Sequence, residues 1–294
     1  MTNLPEQLGF TTAYYDLPGL RLHAAVAGPE AGPLVVLLHG FPEFWYCWRN
    51  QIGPLAAAGF RVITPDQRGY NLTDKTLPYD LKTVTDDMDH LIQAAGRQTA
   101  HIVGHDWGGA VAWALAAWHP ERVQRLVAIN LPHPLALGAA LRHMNLTQYL
   151  RSWYIGLFQI RGVPEWLLRR RNFATLRQLR HGTTRPDAFS DTDIEHYAQA
   201  WSQPGALSAM LGWYRAVGQS RKQVGAARQK FEHIRPPTLI LWGERDIALG
   251  VELAEASLAF LDDGRLVRFP KATHWLPAEE PEQVSQHLLA HLTA

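Results

Sequence analysis

Asp106 lies within Gly104-His105-Asp106-Trp107-Gly108, between an apolar segment through Ile102 and Val103 and an Ala-rich helical pattern. Strand, tight turn and helix in that order form the setting of a nucleophile elbow, in which a strained turn lifts one side chain above the end of a sheet. Glycines on both sides permit a backbone that a Cβ would obstruct. Asp106 also precedes a helix N-terminus, whose unpaired N–H groups and dipole favour the ionised carboxyl. An ionised carboxylate can attack carbon and form an ester. The plainer reading is that Asp106 only caps the helix. Its partners have to decide.

An ester must be hydrolysed by something. In this architecture the chain order is nucleophile, acid, histidine. Lys271-Ala272-Thr273-His274-Trp275 follows the last strand-like segment, and Gly243-Glu244-Arg245-Asp246 follows the one before it. His274 is therefore the expected general base for water, with Asp246 or its rival Glu244 orienting it and stabilising the imidazolium. The backbone N–H groups of Trp107 and of Phe41, in His39-Gly40-Phe41-Pro42, are expected to form an oxyanion hole. A cis peptide before Pro42 would suit that turn.

These residues need a scaffold. Residues 10–26 read as a hairpin turning at Leu17-Pro18-Gly19, and the apolar runs 34–40, 61–66, 126–130, 238–243 and 265–270 read as strands. Helical patterns cover 46–58, 80–95, the segment after the elbow and the chain from about 280. Their alternation predicts the α/β class, a mostly parallel doubly wound sheet. Between 132 and 234 strand signals vanish and helical segments rich in Trp, Leu and Arg take over. A block of that length is too long for a loop. It predicts a helical cap of residues 132–234 inserted into a core of 1–131 and 235–294, above the strand ends where ligands bind in open α/β sheets.

The 294 residues carry a formal charge of +1, with no basic run suggesting nucleic acid and no apolar stretch of bilayer length. A small uncharged molecule is the expected partner, and neither nucleic acid nor a membrane. Eleven tryptophans suggest an aromatic pocket, for which Phe41, Pro42, Trp107, Trp153, Phe158, Trp213 and Trp275 are the candidates. The start shows no secretory signal, and Cys47, the single cysteine, excludes an intrachain disulfide and agrees with a cytoplasmic location. Glu195-His196 and Glu232-His233 are adjacent pairs that do not share a helical face, so no metal is expected. Arg169-Arg170-Arg171 reads as a solvated face of the cap. Monomer and homodimer fit equally well.

The cap segment adds two tyrosines, Tyr154 and Tyr214. Singly, each would more often be a packing residue. An alkoxide leaving group needs a proton, whereas a halide needs only hydrogen-bond donors, and a phenol can give an alkoxide its proton. Two phenols above a carboxylate suit the opening of an epoxide.

Taken together, the chain resembles an epoxide hydrolase of the α/β-hydrolase fold family over nearly its whole length. His39-Gly40-Phe41-Pro42, Gly104-His105-Asp106-Trp107-Gly108, Tyr154 with Phe158-Gln159 and Gly162-Val163-Pro164-Glu165, Trp213-Tyr214-Arg215, Asp246 and His274 carry the likeness. The resemblance implies Asp246 as the acid. It implies attack by Asp106 on an epoxide held and protonated by Tyr154 and Tyr214, hydrolysis of the ester by water activated by His274, and a vicinal diol product without any cofactor. Asn71 departs from the family's usual second glycine in its RGYG segment and puts the shape of that loop in doubt. Two rivals use the same nucleophile. Haloalkane dehalogenases often pair the Trp after the nucleophile with an Asn, where this chain has Phe41, and haloacetate dehalogenases carry elbow arginines that are Trp107 and Ala110 here. A non-enzymatic receptor on this fold is the third alternative. A serine esterase is disfavoured by the absence of G-x-S-x-G.

Overall fold

The computed structural model describes residues 4–142 and 153–294. Eight strands form one sheet in the order β1-β2-β4-β3-β5-β6-β7-β8, with β1 Thr11–Leu17, β2 Leu20–Ala27, β3 Leu34–Leu38, β4 Arg61–Pro65, β5 Ala100–His105, β6 Val123–Ile129, β7 Thr238–Gly243 and β8 Gly264–Phe269. Only the pairs β1/β2 and β2/β4 are antiparallel; every other neighbour is parallel. All residues of β3, β5 and β7 are buried, which is why these segments read as continuous apolar runs: helices cover both faces. The predicted helix at 46–58 has two parts, a 3-10 turn of large buried side chains, Trp45–Trp48, and an α-helix, Arg49–Ala57.

Among the described residues, everything between β6 and β7 is helical or loop. The ends of this insertion return to the sheet layer, where Pro134–Arg142 packs on Val251–Ser257 and Arg228–Phe231 on Trp107–Trp118. Its middle docks on the loop after β3. Tyr197 donates to Glu43 Oε1 at 3.1 Å, the Trp201 indole donates to the Pro42 carbonyl at 2.5 Å, and Asp193 accepts from Tyr46 at 2.7 Å. The insertion is thus fastened to the turn that carries Phe41. Among the described residues no helix is long and apolar enough to cross a membrane.

Asn71 keeps the conformation that a glycine would take there. Its φ is +38°, in the left-handed region that Asn tolerates better than most residues, and its amide donates to Asp66 Oδ2 at 2.8 Å.

Candidate active site

Asp106 sits between β5 and the helix Trp107–Trp118 with φ 50° and ψ −124°, a conformation costing about 1–3 kcal/mol in a non-glycine residue. Its neighbours make the turn feasible. A Cβ on Gly104 would lie 2.2 Å from the Gly108 carbonyl oxygen, and one on Gly108 would lie 2.2 Å from that of Leu38. The Asp106 side chain makes no capping bond to its helix. Instead Oδ1 accepts from the Phe41 N–H at 2.8 Å, and Oδ2 lies 3.6 Å from His274 Nε2. The Phe41–Pro42 peptide is cis, and the Trp107 N–H, at the first helical position, has no acceptor within its own helix.

His274 follows β8, and Asp246 follows β7. His274 Nδ1 lies 2.6 Å from Asp246 Oδ2, whereas Glu244 is turned outward onto Arg268 at 2.5 Å. Geometry thus separates the two acids that the sequence left open. Asp246 is held on all sides: Oδ1 accepts from the N–H groups of Ala248 and Leu249 at 2.7 and 3.0 Å, and Oδ2 also accepts from Asn130 Nδ2 at 2.8 Å. Asn130, at the end of β6, is a site residue that the sequence did not single out. With φ +47° it also accepts from the Gly243 N–H at 3.0 Å, tying the end of β6 to that of β7.

Three charges oppose their own burial. For Asp106 and Asp246 burial favours the neutral acid, but the nearby His274 cation and hydrogen-bond donors outweigh it and lower both carboxyls. For His274 burial favours the neutral ring, but Asp246 and then Asp106 hold its pKa well above the ordinary value. The resting site is an imidazolium between two carboxylates. His105 supports it from behind: its Nε2 meets the His274 carbonyl oxygen at 2.7 Å and its Nδ1 meets Glu43 Oε2 at 3.0 Å. A carbonyl only accepts, so Nε2 carries a proton.

Tyr154 and Tyr214 come together beside this group, with ring centroids 5.8 Å apart. The Trp107 ring meets Tyr214 edge-on. Burial, reinforced by nearby groups that include Asp106, pushes both phenols up, so both keep their protons. The neighbouring motif residues stitch the two tyrosine helices together. Arg215 donates to the Phe158 and Ile160 carbonyls at 3.0 Å each and pairs with Glu165 at 2.8 Å, while Gln159 donates to the Tyr214 carbonyl at 2.9 Å.

The pocket candidates separate into distinct positions. Phe41, Phe158 and Trp107 surround Tyr214 with ring centroids 5.1, 5.0 and 5.2 Å away. Trp275 packs on His274 at 5.2 Å. Pro42 is buried and presents its carbonyl to Trp201. Trp213 is 1% exposed and pinned by its indole to the Arg68 carbonyl at 3.0 Å, behind the first layer of rings. Trp153 does not share this cluster. Adjacent helical residues point about 100° apart, so with Tyr154 turned inward Trp153 faces outward and is 67% exposed. Among the described residues no three His, Cys, Asp or Glu side chains gather to hold a metal.

The parallel sheet with a strained acid at the end of β5 and a histidine after β8 defines an α/β-hydrolase. The chain belongs to that family: residues 33–281 match the alpha/beta hydrolase fold family, and the protein is a hydrolase enzyme. It is 44% identical to the AB hydrolase superfamily protein YfhM of Bacillus subtilis over 97% of this chain and 98% of that one. Identity to Epoxide hydrolase 4 of Homo sapiens is 36%, over 91% of this chain and 74% of that protein. The crystal structure of a Bacillus megaterium epoxide hydrolase in complex with an inhibitor superposes with a TM-score of 0.84 at 29% identity, covering 96% of this chain and all of that one.

Proposed function

We propose that this enzyme hydrolyses a small apolar or aromatic epoxide to a vicinal diol through an ester on Asp106. One observation carries the proposal: two paired phenols, both held protonated, lie close to an ionised carboxylate that also faces a histidine–aspartate pair. The relatives named as epoxide hydrolases support it.

Oδ2 of Asp106 attacks an epoxide carbon from the side opposite the oxygen, forming the C–O ester bond as the ring C–O bond breaks. Tyr154 and Tyr214 bind the oxygen and one gives it a proton, so a hydroxyl forms in place of an alkoxide. Esterification removes one of the two carboxylate charges that hold His274 protonated, so the imidazolium gives up a proton, which restores the tyrosine left as phenolate. Neutral His274 then takes a proton from water, which attacks the Asp106 carbonyl carbon. The oxyanion forms at Oδ1, where the Phe41 N–H already points, with Trp107 supplying the second N–H. Collapse breaks the acyl C–O bond, and the leaving diol oxygen takes the remaining proton of the attacking water, which restores the Asp106 carboxylate beside protonated His274. Within this scheme the helical insertion, about residues 132–234, is the cap that brings the phenols, and no cofactor takes part.

A halide leaves without taking a proton, so two phenols held protonated beside the carboxylate disfavour the dehalogenase alternative. The test is diol formation from styrene oxide beside bromide release from a 1-bromoalkane, with Asp106→Ala as control. Diol without bromide, lost in the variant, is the expected result. Bromide without diol would make the enzyme a dehalogenase, and neither product from any of a panel of epoxides and bromoalkanes would favour a receptor.

A further inference from the structure

We infer that the outer face of the cap, from Trp153 to Arg171, is a docking surface for an anionic lipid bilayer. Of the eleven tryptophans, Trp153 and Trp166 alone are exposed, at 67% and 59%, and Ile160 and Val163 between them are 51% and 45% exposed. Spacing sets them on the outer side of each helix. Trp153 and Ile160 are seven residues apart along the helix Trp153–Phe158 and its closing turn; Val163, Trp166 and Arg170 follow the same rule on the helix that begins at Val163. Their opposite faces are spent inward, on Tyr154 and Phe158 and on buried Pro164 and Leu168. Arg215 fixes the turn between the two helices, so the stripe is part of the folded cap.

The charges around the stripe select the partner. Arg161, Arg169, Arg170 and Arg171 are all exposed, and among the described residues none of them pairs with a carboxylate. Arg170 lies over the Trp166 ring, 4.4 Å from its centroid. The one acid in this stretch, Glu165, is committed to Arg215 and the Gly162 N–H. A second copy docked by a twofold axis would bring two sets of these arginines into one interface, with the stretch's only acid already committed. Exposed tryptophans flanked by arginines match the boundary between lipid headgroups and acyl chains of a negatively charged membrane. This is attachment at a surface, which needs no apolar run of bilayer length, and it revises the expectation of no membrane partner. Tyr154 sits on the inner side of the same helix, so docking would place the pocket beside the phase into which apolar epoxides partition.

The experiment is flotation of the full chain with phosphatidylcholine vesicles with and without phosphatidylglycerol, at low and at high salt, with light scattering in parallel. The wild type should float with the anionic vesicles only, and at least about tenfold less in high salt. Ile160→Ser/Trp166→Ser and Arg169→Glu/Arg170→Glu should each reduce the bound fraction about fivefold or more, with turnover of a water-soluble substrate confirming that the variants fold. Absence of flotation, flotation that neither variant weakens, or a wild-type dimer that the variants dissociate would each overturn the inference; the last would assign the face to a second copy.

Discussion

The two oxygens of the Asp106 carboxylate have different partners: Oδ1 accepts from the Phe41 N–H at 2.8 Å, and Oδ2 lies 3.6 Å from His274 Nε2. One oxygen is held where charge would develop during ester hydrolysis, and the other stands free of any short hydrogen bond. In the proposed scheme this asymmetry would sort the carboxylate into an attacking atom and an oxyanion.

An isotope test follows from it. In a single turnover in ¹⁸O-water the diol should receive its new oxygen from Asp106 and remain unlabelled, while the peptide containing Asp106 gains the label. Label in the first-turnover diol would mean direct attack by water and would remove the ester.

His274→Gln should separate the two steps. Ring opening needs no base, so the ester should form and persist, and intact-mass measurement should show one adduct per chain with turnover reduced by about 10³-fold or more. Failure to trap an adduct on Asp106 would count against the scheme.

Loss of both phenols should act on the other step. Tyr154→Phe/Tyr214→Phe should slow ring opening by about 10²–10⁴-fold, measured as the rate of ester formation under single-turnover conditions. Near-normal rates would make these tyrosines packing residues only.

The pH dependence has a defined sign. His274 is raised in the folded enzyme and Asp106 lowered, so ring opening, which needs ionised Asp106 and protonated phenols, should persist into mild acid. Ester hydrolysis needs neutral His274, so the ester should accumulate as pH falls and vanish as pH rises, as rapid quench at several pH values would show. The linked stability runs oppositely for the two partners. The share due to His274 is present below its ordinary pKa and lost as pH rises through its raised value, while that due to Asp246, also lowered, is lost as pH falls through its depressed value. Asp246→Asn should flatten both limbs of a melting-temperature profile.

Arg215 carries a structural prediction. It ties the two tyrosine helices through the Phe158 and Ile160 carbonyls and Glu165, with both ionised side chains less than one-fifth exposed. Arg215→Met should destabilise by about 1–3 kcal/mol and slow ring opening more than ester hydrolysis. Equal slowing of both steps would place its effect elsewhere.

Local chemistry was legible in the sequence wherever a short segment determines its own conformation. The glycines of the elbow, the apolar runs of β3, β5 and β7 and the residues that follow β7 and β8 gave the α/β class, the sheet and a ranked set of candidates, because strand burial and tight turns depend on residues within a few positions. What required the folded chain was direction. Asp246 and Glu244 are two residues apart on one loop, and only the packed β7–β8 end turns one to His274 and the other to Arg268. Asn130 carries no sequence signal for its role, since its partners Gly243 and Asp246 are 113 and 116 residues away. Trp153 and Tyr154 are neighbours in sequence and opposite in orientation, one exposed and one against Phe158 and Tyr214. Which face of a helix meets the sheet is settled by long-range packing, and that packing decides both the site and the surface outside it.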